Sequence, residues 1–312
     1  MARTHALDAG TVHYEWNNAL APRLVIDPGD TVVFDTRDSA DGYYSPSSTH
    51  GDVLARGPFR GHPLTGPVGV RGARPGDLLV VEILDVAPRA PFGWTAIRPG
   101  RGLLPEHDFP KPFLQIWDVS DGVSARTGRD IAVPLEPFPG VMGTALDEPG
   151  AHSTMPPRKN GGNMDIKQLV KGTTLYLPVW VDGALFSVGD GHGAQGDGEV
   201  CVTAVEMMAR VTLRFGVERG RRLAEPQFRT GGPLAPRADR GPWFVTTAHG
   251  PDLFAAAQQA VRYMIEHLVR ERGVSREEAY ILASVAVDLK ISEIVDAPNW
   301  IVSAFLPETI FG

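Results

Sequence analysis

Cysteine is nearly missing from this chain of 312 residues: Cys201 stands alone. A single thiol excludes an internal disulfide and a cysteine-based zinc site. Basic residues are also in deficit. Thirty Lys and Arg against 37 Asp and Glu leave a net charge of −7 at pH 7, the wrong sign for a phosphate-binding surface, so nucleic acid is not an expected partner. No apolar run approaches the roughly 18 residues of a membrane span. The opening M-A-R-T-H-A-L-D has no apolar signal core, so the expectation is a cytoplasmic protein. What is abundant is Gly (35) and Pro (27), which favours many short strands joined by turns. With 43% hydrophobic and 21% charged residues, the chain has globular composition and the length for one large or two modest domains.

In chain order, T-V-H-Y-E-W-N and L-V-I-D-P-G-D-T-V-V-F-D read as strands around a Pro-Gly turn. Residues 39 to 66 are polar, glycine-rich and aperiodic, the character of a functional loop or of a plain surface excursion. A strand follows the R-P-G-D turn at 74 to 77. Residues 88 to 112 read as an ordered loop without regular structure, 113 to 119 and 130 to 138 as strands, and 138 to 145 as a turn over a buried surface. The loop 155 to 167 delivers Asn163, Asp165 and Lys167 to the strand T-T-L-Y-L-P-V-W-V. Residues 200 to 217 read as continuous strand buried on both faces.

The tail changes period. Leu253, Ala257, Ala260, Val261, Met264, Ile265 and Leu268 keep the i, i+3, i+4 spacing of an amphipathic helix. Pro251 suits its first position and Gly273 its stop. Ser275 with Glu278 makes a capping box for a second helix through about Leu289. The expected organisation is one unit, mainly β, with a β-rich core over 1–250 and a helical C-terminal part over 251–312 packed upon it.

The chain centres on F-S-V-G-D-G-H-G-A-Q-G-D-G-E-V-C-V-T-A-V-E, residues 186 to 206. Its five glycines, from 189 to 198, stand among Asp190, His192, Gln195, Asp197 and Glu199. Glycine permits positive φ and close approach; carboxylates and histidine are the usual ligands of a divalent ion and the usual proton carriers. The bland alternative is a hairpin turn with solubilising acids.

Several segments together resemble the acetamidase/formamidase family: T-G-P-V (65–68), G-A-R-P-G-D (72–77), F-P-G-V-M-G (138–143), P-P-R-K-N-G-G-N-M-D-I-K (156–167), L-Y-L-P-V (175–179), G-A-L-F-S-V-G-D-G-H-G-A-Q-G-D-G-E-V (183–200) and A-Y-I-L-A-S-V-A-V-D-L-K-I (279–291). The likeness spans nearly the whole length and is most specific in the two Gly-rich segments. It implies a β-sandwich-like core with added helices, homo-oligomers in the cytoplasm, and hydrolysis of short amides to a carboxylate and ammonia. It also implies a bound divalent metal, zinc or alternatively calcium.

Amide hydrolysis needs an activated water, a stabilised oxyanion and a protonated leaving amine. A metal supplies the first two by lowering the pKa of bound water to about 7 and polarising the carbonyl. The candidate ligands are Asp165, Asp190 and His192, with His50 and Asp52 as a distant contribution from the early loop. Glu199, where the loop enters buried chain, is the candidate acid or base; its alternative is a salt-bridge partner. Lys167 is the candidate oxyanion holder, or else a surface ammonium. Asn163, Gln195 and His62 are candidates for reading the substrate amide. Cys201 with Glu199 and Lys167 is a metal-free rival, disfavoured because the thiol lies between Val200 and Val202, where cysteine is usually inert core. A third possibility is a related hydrolase of a urea- or guanidine-like compound or a longer amide, and a fourth a non-catalytic protein that keeps the fold.

Overall fold

The computed structural model describes residues 2–234, 237 and 239–312. The chain is mainly β, and two sheets face each other across the main core. One has six strands in the order Thr4–Leu7, Thr31–Asp35, Ala209–Glu218, Leu78–Pro88, Thr174–Pro178, Gln227–Arg229. Its longest pair is antiparallel, with Ala209–Glu218 registered along Leu78–Pro88. Strand geometry sends alternate side chains to opposite faces. Val211, Leu213 and Phe215 therefore enter the core, while Arg210 and Arg214 turn outward to pair with Asp35 and Glu82.

The second sheet has ten strands, with Phe186–His192 at its centre between Phe138–Gly143 on one side and Leu64–Val70 and Glu206–Met207 on the other. Every residue of Phe186–His192 is buried. The facing sheets meet through Phe34, Phe186 and Phe215, whose rings pack edge to face with centroids 5.0 to 6.2 Å apart. Such contacts add about 0.5–1.5 kcal/mol each to the area the rings bury.

A third layer closes one end. Helix Leu253–Arg272 is capped by Asp252, whose carboxylate accepts from Ala255 N at 2.7 Å, and it stops at Gly273, φ 62°. Pro251 thus precedes the cap rather than opening the helix. Helix Arg276–Ala286 carries the expected Ser275–Glu278 capping box. It ends at Ala286, three residues short of Leu289, because strand Asp288–Glu293 begins there. That strand and Trp243–Gly250 flank Trp300–Pro307 in a three-stranded antiparallel sheet. Residues 251–312 therefore carry their two α-helices in the first half, followed by strands and a 3-10 turn at Glu308–Ile310.

Three other segments depart from their sequence reading. Phe92–Ile97 is a strand inside the supposed loop 88–112, and Phe138–Gly143 is a strand rather than a turn. Conversely, strand between 200 and 217 is confined to Glu206–Met207 and Ala209–Glu218. Residues 199–205 form an irregular loop in which Glu199 (φ 43°) and Val202 (φ 72°) take left-handed backbone. No helix among the described residues is long and apolar enough to cross a membrane.

Candidate active site

Strand Phe186–His192 delivers Asp190 and His192. Strict alternation would send both into the core with Phe186 and Val188. The left-handed backbone at Asp190, φ 59°, breaks that alternation where the carboxylate reaches a cavity. Asp165 has φ 47° and Glu199 φ 43°. Among the described residues only seven non-glycine positions have positive φ, and these three acids are among them. Left-handed backbone costs about 1–3 kcal/mol per non-glycine residue and concentrates where a side chain must be aimed.

His192 is the hub. Its Nε2 lies 3.4 Å from Asp190 Oδ2, 3.4 Å from Glu206 Oε1 and 3.9 Å from Glu199 Oε1. Potential ligand atoms of Asp165, His192 and Glu199 lie within 4.8 Å of one another, and so do those of Asp190, His192 and Glu206. His62 joins from the early loop, its Nε2 3.6 Å from Asp190 Oδ2 and its Nδ1 3.1 Å from Thr154 Oγ1.

The tautomer of His192 follows from its neighbour. Gln195 Nε2 donates to the Asp165 carbonyl at 2.7 Å, which leaves Gln195 Oε1 as the acceptor 2.9 Å from His192 Nδ1. Nδ1 must then carry a hydrogen. His192 Nε2, Asp165 Oδ1 and Asp190 Oδ1 are buried and have no hydrogen-bond partner among the described residues. Three orphaned ligand-type atoms around one imidazole, oriented by a bond at its other nitrogen, fit a divalent cation. The aperture is real: a Cβ on Gly140 would sit 2.7 Å from Asp165 Oδ1 and 3.0 Å from His192 Nε2.

Electrostatics report the same crowding. Burial, with Asp190 nearby, raises Asp165 to about 7 against the pull of His192. Burial and the Asp165 charge push Glu199 well up, and burial with Asp190 does the same for Glu206. Burial opposes the charge on Asp190, but His192 and His62 overcome it and hold the carboxyl low. For His192, burial is outweighed by Glu206 and Asp190, so the imidazole lies well above its ordinary value. His62 is pushed down by burial.

The cavity beside this cluster encloses about 650 Å³. Its wall includes Ser39, Tyr44 and His62 from the early loop and Trp94, Arg98 and Arg101 from the 92–101 region. Asn163 also lines it: Nδ2 donates to Met155 O at 3.0 Å, and buried Oδ1 has no partner among the described residues.

The structure brings Asp165, Asp190, His192, Glu199, Asn163 and His62 together, with Gln195 against His192, and leaves His50, Asp52, Lys167 and Cys201 outside the cluster. His50 does not reach the cluster; its Nδ1 accepts from Leu114 N at 2.9 Å and its ring stacks on Phe113. Asp52 accepts from Thr49 N and Oγ1 at the start of its own short helix. Lys167 is held by an ion pair to buried Asp288, so its ammonium is unavailable to an oxyanion in the cavity. Gln195 faces His192 and Asp165 rather than substrate, and acts as a positioning residue. Cys201 is buried, its thiol raised to about 11 by burial, against the need of a nucleophile. Glu206 was missed. It sits in apolar sequence that reads as strand, and only its fold partners, Ser39 Oγ at 2.7 Å and Ala204 N at 3.0 Å, mark it.

Comparison with known proteins bears on the chain as a whole. The model of the Acetamidase/Formamidase family matches residues 2–152 and 146–312. A formamidase of Methylophilus methylotrophus is 30% identical over 97% of this chain and 90% of its own length. An acetamidase of Mycolicibacterium smegmatis is 29% identical over 67% of this chain and 66% of its own. Among solved structures, a gamma lactamase from Delftia acidovorans superposes with a TM-score of 0.90 at 28% identity, covering 99% of this chain and 93% of that one. An acetamidase from Bacillus halodurans superposes with a TM-score of 0.68 at 34% identity, covering 96% of each chain. A buried His–carboxylate cluster at a cavity, on a sandwich matched end to end by amide hydrolases, places the chain in the acetamidase/formamidase family, as an amidase that cleaves the C–N bond.

Proposed function

We propose that this amidase hydrolyses short aliphatic amides to a carboxylate and ammonia with a divalent metal held around His192. The observation that carries the reading is the buried, unpartnered His192 Nε2 facing carboxylates from three segments of chain. One imidazole among carboxylate oxygens suits zinc; calcium, which takes oxygen ligands, fits this donor set less well. His192 would hold the ion with Asp190 and Glu206, Asp165 and Glu199, or members of both sets. When bound, the metal supplies an activated water and polarises the carbonyl.

The remaining work falls to this chain's own groups. Gln195 fixes the His192 ring through Nδ1. Asn163 Oδ1 is free to accept from the substrate's amide nitrogen. Burial and the Asp190 charge raise Asp165, and burial and the Asp165 charge raise Glu199, which favours proton carriage at this pair. Glu199 is placed to take a proton from the attacking water and return it to the departing nitrogen. The water oxygen ends on the acyl carbon, the C–N bond breaks, and nitrogen leaves as ammonia. His62, its pKa lowered by burial, lines the wall beside Asp190. Trp94 and Tyr44 pack at 4.6 Å and exclude water from that wall.

A second reading has its own support. A cavity of about 650 Å³ exceeds what formamide or acetamide fills, and the likeness to a gamma lactamase is high in geometry. Ring opening of a γ-lactam, followed by product amine, tests it beside ammonia release from formamide, acetamide, propionamide and urea. Asp190→Ala and His192→Ala should each lower kcat by orders of magnitude in folded protein; normal turnover in both would remove the site assignment. A cytoplasmic, homo-oligomeric enzyme completes the proposal on the family likeness, and light scattering of the purified chain tests the assembly.

A further inference from the structure

The cavity has two ends of opposite character. Its floor is the carboxylate–imidazole cluster; its rim carries Arg56, Arg98 and Arg101. Among the described residues none of the three makes an ion pair with a carboxylate, although the chain is acidic overall. Arginines kept only to neutralise the floor would contact it. Instead two are aimed by backbone carbonyls: Arg56 Nη2 donates to Ser39 O at 2.6 Å, and Arg98 Nη2 to Gly57 O at 3.2 Å. Each anchor uses one of five guanidinium N–H donors and leaves the rest of the fork open. Both side chains line the same cavity as Tyr44 and Phe59, and Arg56 lies 6.0 Å from the centroid of the Phe59 ring. Arg101 is exposed at the rim. Guanidinium forks held by backbone carbonyls, with no carboxylate partner among the described residues, are the chemistry that binds a planar carboxylate through two parallel hydrogen bonds.

We propose that the substrate is an amide carrying a carboxylate at its far end, with the amide at the His192 cluster and the carboxylate at Arg56 and Arg98. This rests on the amidase reading of the same cavity. The reaction balances as hydrolysis alone: water adds to the acyl carbon, the C–N bond breaks, and a monocarboxylate amide becomes a dicarboxylate and ammonia. The cavity volume of about 650 Å³ leaves room for the spacer that formamide lacks. A neutral amide would use the floor only.

The test compares kcat/KM of the metal-loaded enzyme for succinamate, glutaramate and adipamate with butyramide, valeramide and hexanamide, measured by ammonia release. At least one carboxylated amide should exceed its neutral partner by about 10- to 100-fold, the range of a bidentate charge-assisted contact. The readout for Arg98→Ala and Arg101→Ala is the ratio of the two classes, and Arg98→Ala should lower it about tenfold. Arg56→Lys, which keeps the charge but loses the fork, should lower it too and covers the case in which Arg98→Ala does not fold. Neutral amides turned over at least as well as carboxylated ones would overturn the inference and leave the amidase reading standing. A preference that survives all three variants would also overturn it. Turnover of neither class, with metal content confirmed, would sink the amidase reading itself.

Discussion

Replacing Gly140 by alanine adds one carbon against Asp165 and His192. The new Cβ would lie 2.7 Å from Asp165 Oδ1, 2.8 Å from His192 Cε1 and 3.0 Å from His192 Nε2. Ordinary contact begins near 3.4 Å, so these groups must retreat by about half an ångström. Gly140 is outside the positive-φ set, which makes the backbone tolerant and confines the damage to the site. Metal ligands tolerate about ±0.2 Å, and a 1 Å misplacement of catalytic groups costs about 100-fold. Gly140→Ala should therefore lower kcat/KM by about 30- to 100-fold, or about 2–3 kcal/mol of transition-state stabilisation. Metal affinity should fall about 10- to 100-fold, as when the groups orienting metal ligands are disturbed. Overpacking should cost at most about 1–3 kcal/mol of stability. Ammonia release, metal titration and thermal unfolding of the same preparation separate these effects. Gly128, with open space around its Cβ position, provides the control Gly128→Ala. Metal content and kcat/KM of Gly140→Ala within twofold of the parent would refute the claim that Asp165 and His192 share one tight centre.

Gln195→Leu removes the acceptor at His192 Nδ1 and should weaken metal binding about 10- to 100-fold with the chain folded; unchanged affinity would contradict the positioning role. Lys167→Ala leaves Asp288 buried and unpaired, so it should cost about 3–5 kcal/mol in denaturant titration. Cys201→Ser should keep full turnover, since the sulfur is fully buried behind the cavity-lining Thr203 and Ala96 and its thiol is raised by burial; inactivity in folded protein would revive the nucleophile. The pH dependence of metal-free stability has a definite sign. Asp165 rises from 3.8 to about 7 on folding, so the native state binds the extra proton between those values and loses stability as pH rises through them, by about 4 kcal/mol. The raised Glu199, Glu206 and His192 act in the same direction, and the lowered His62 acts against them. Unfolding of the chelated protein from pH 4.5 to 8 should show this decline, and added metal should flatten it. A metal-free protein that gains stability across that range would contradict the carboxylate crowding.

The sequence was most legible where local chemistry decides structure. The Ser275–Glu278 box, the Gly273 stop and the period of Leu253–Arg272 depend on neighbours within one turn. Asp165, Asp190, His192 and Glu199 could be singled out because they lie in glycine-bearing stretches. Illegible parts depend on distant chain. Glu206 reads as strand filler until Ser39 and His192 are folded against it. Lys167 is catalytic in type, yet Asp288, 121 residues away, takes its ammonium. His50-Gly-Asp52 shares the x-Gly-x spacing of Asp190-Gly-His192, but its backbone turns into a short helix and disperses the two side chains. The stretch from Phe186 looks like a glycine loop because strand propensity is low there; burial on all sides makes it the central strand.

Metal dependence of amide hydrolysis tests the central claim most directly. The purified chain should contain stoichiometric divalent metal, lose it on exhaustive chelation together with ammonia release from its preferred amide, and recover both when zinc is returned. His192→Ala should neither hold the metal nor respond to its return. Full turnover by a chelated enzyme shown to be free of metal would contradict the account.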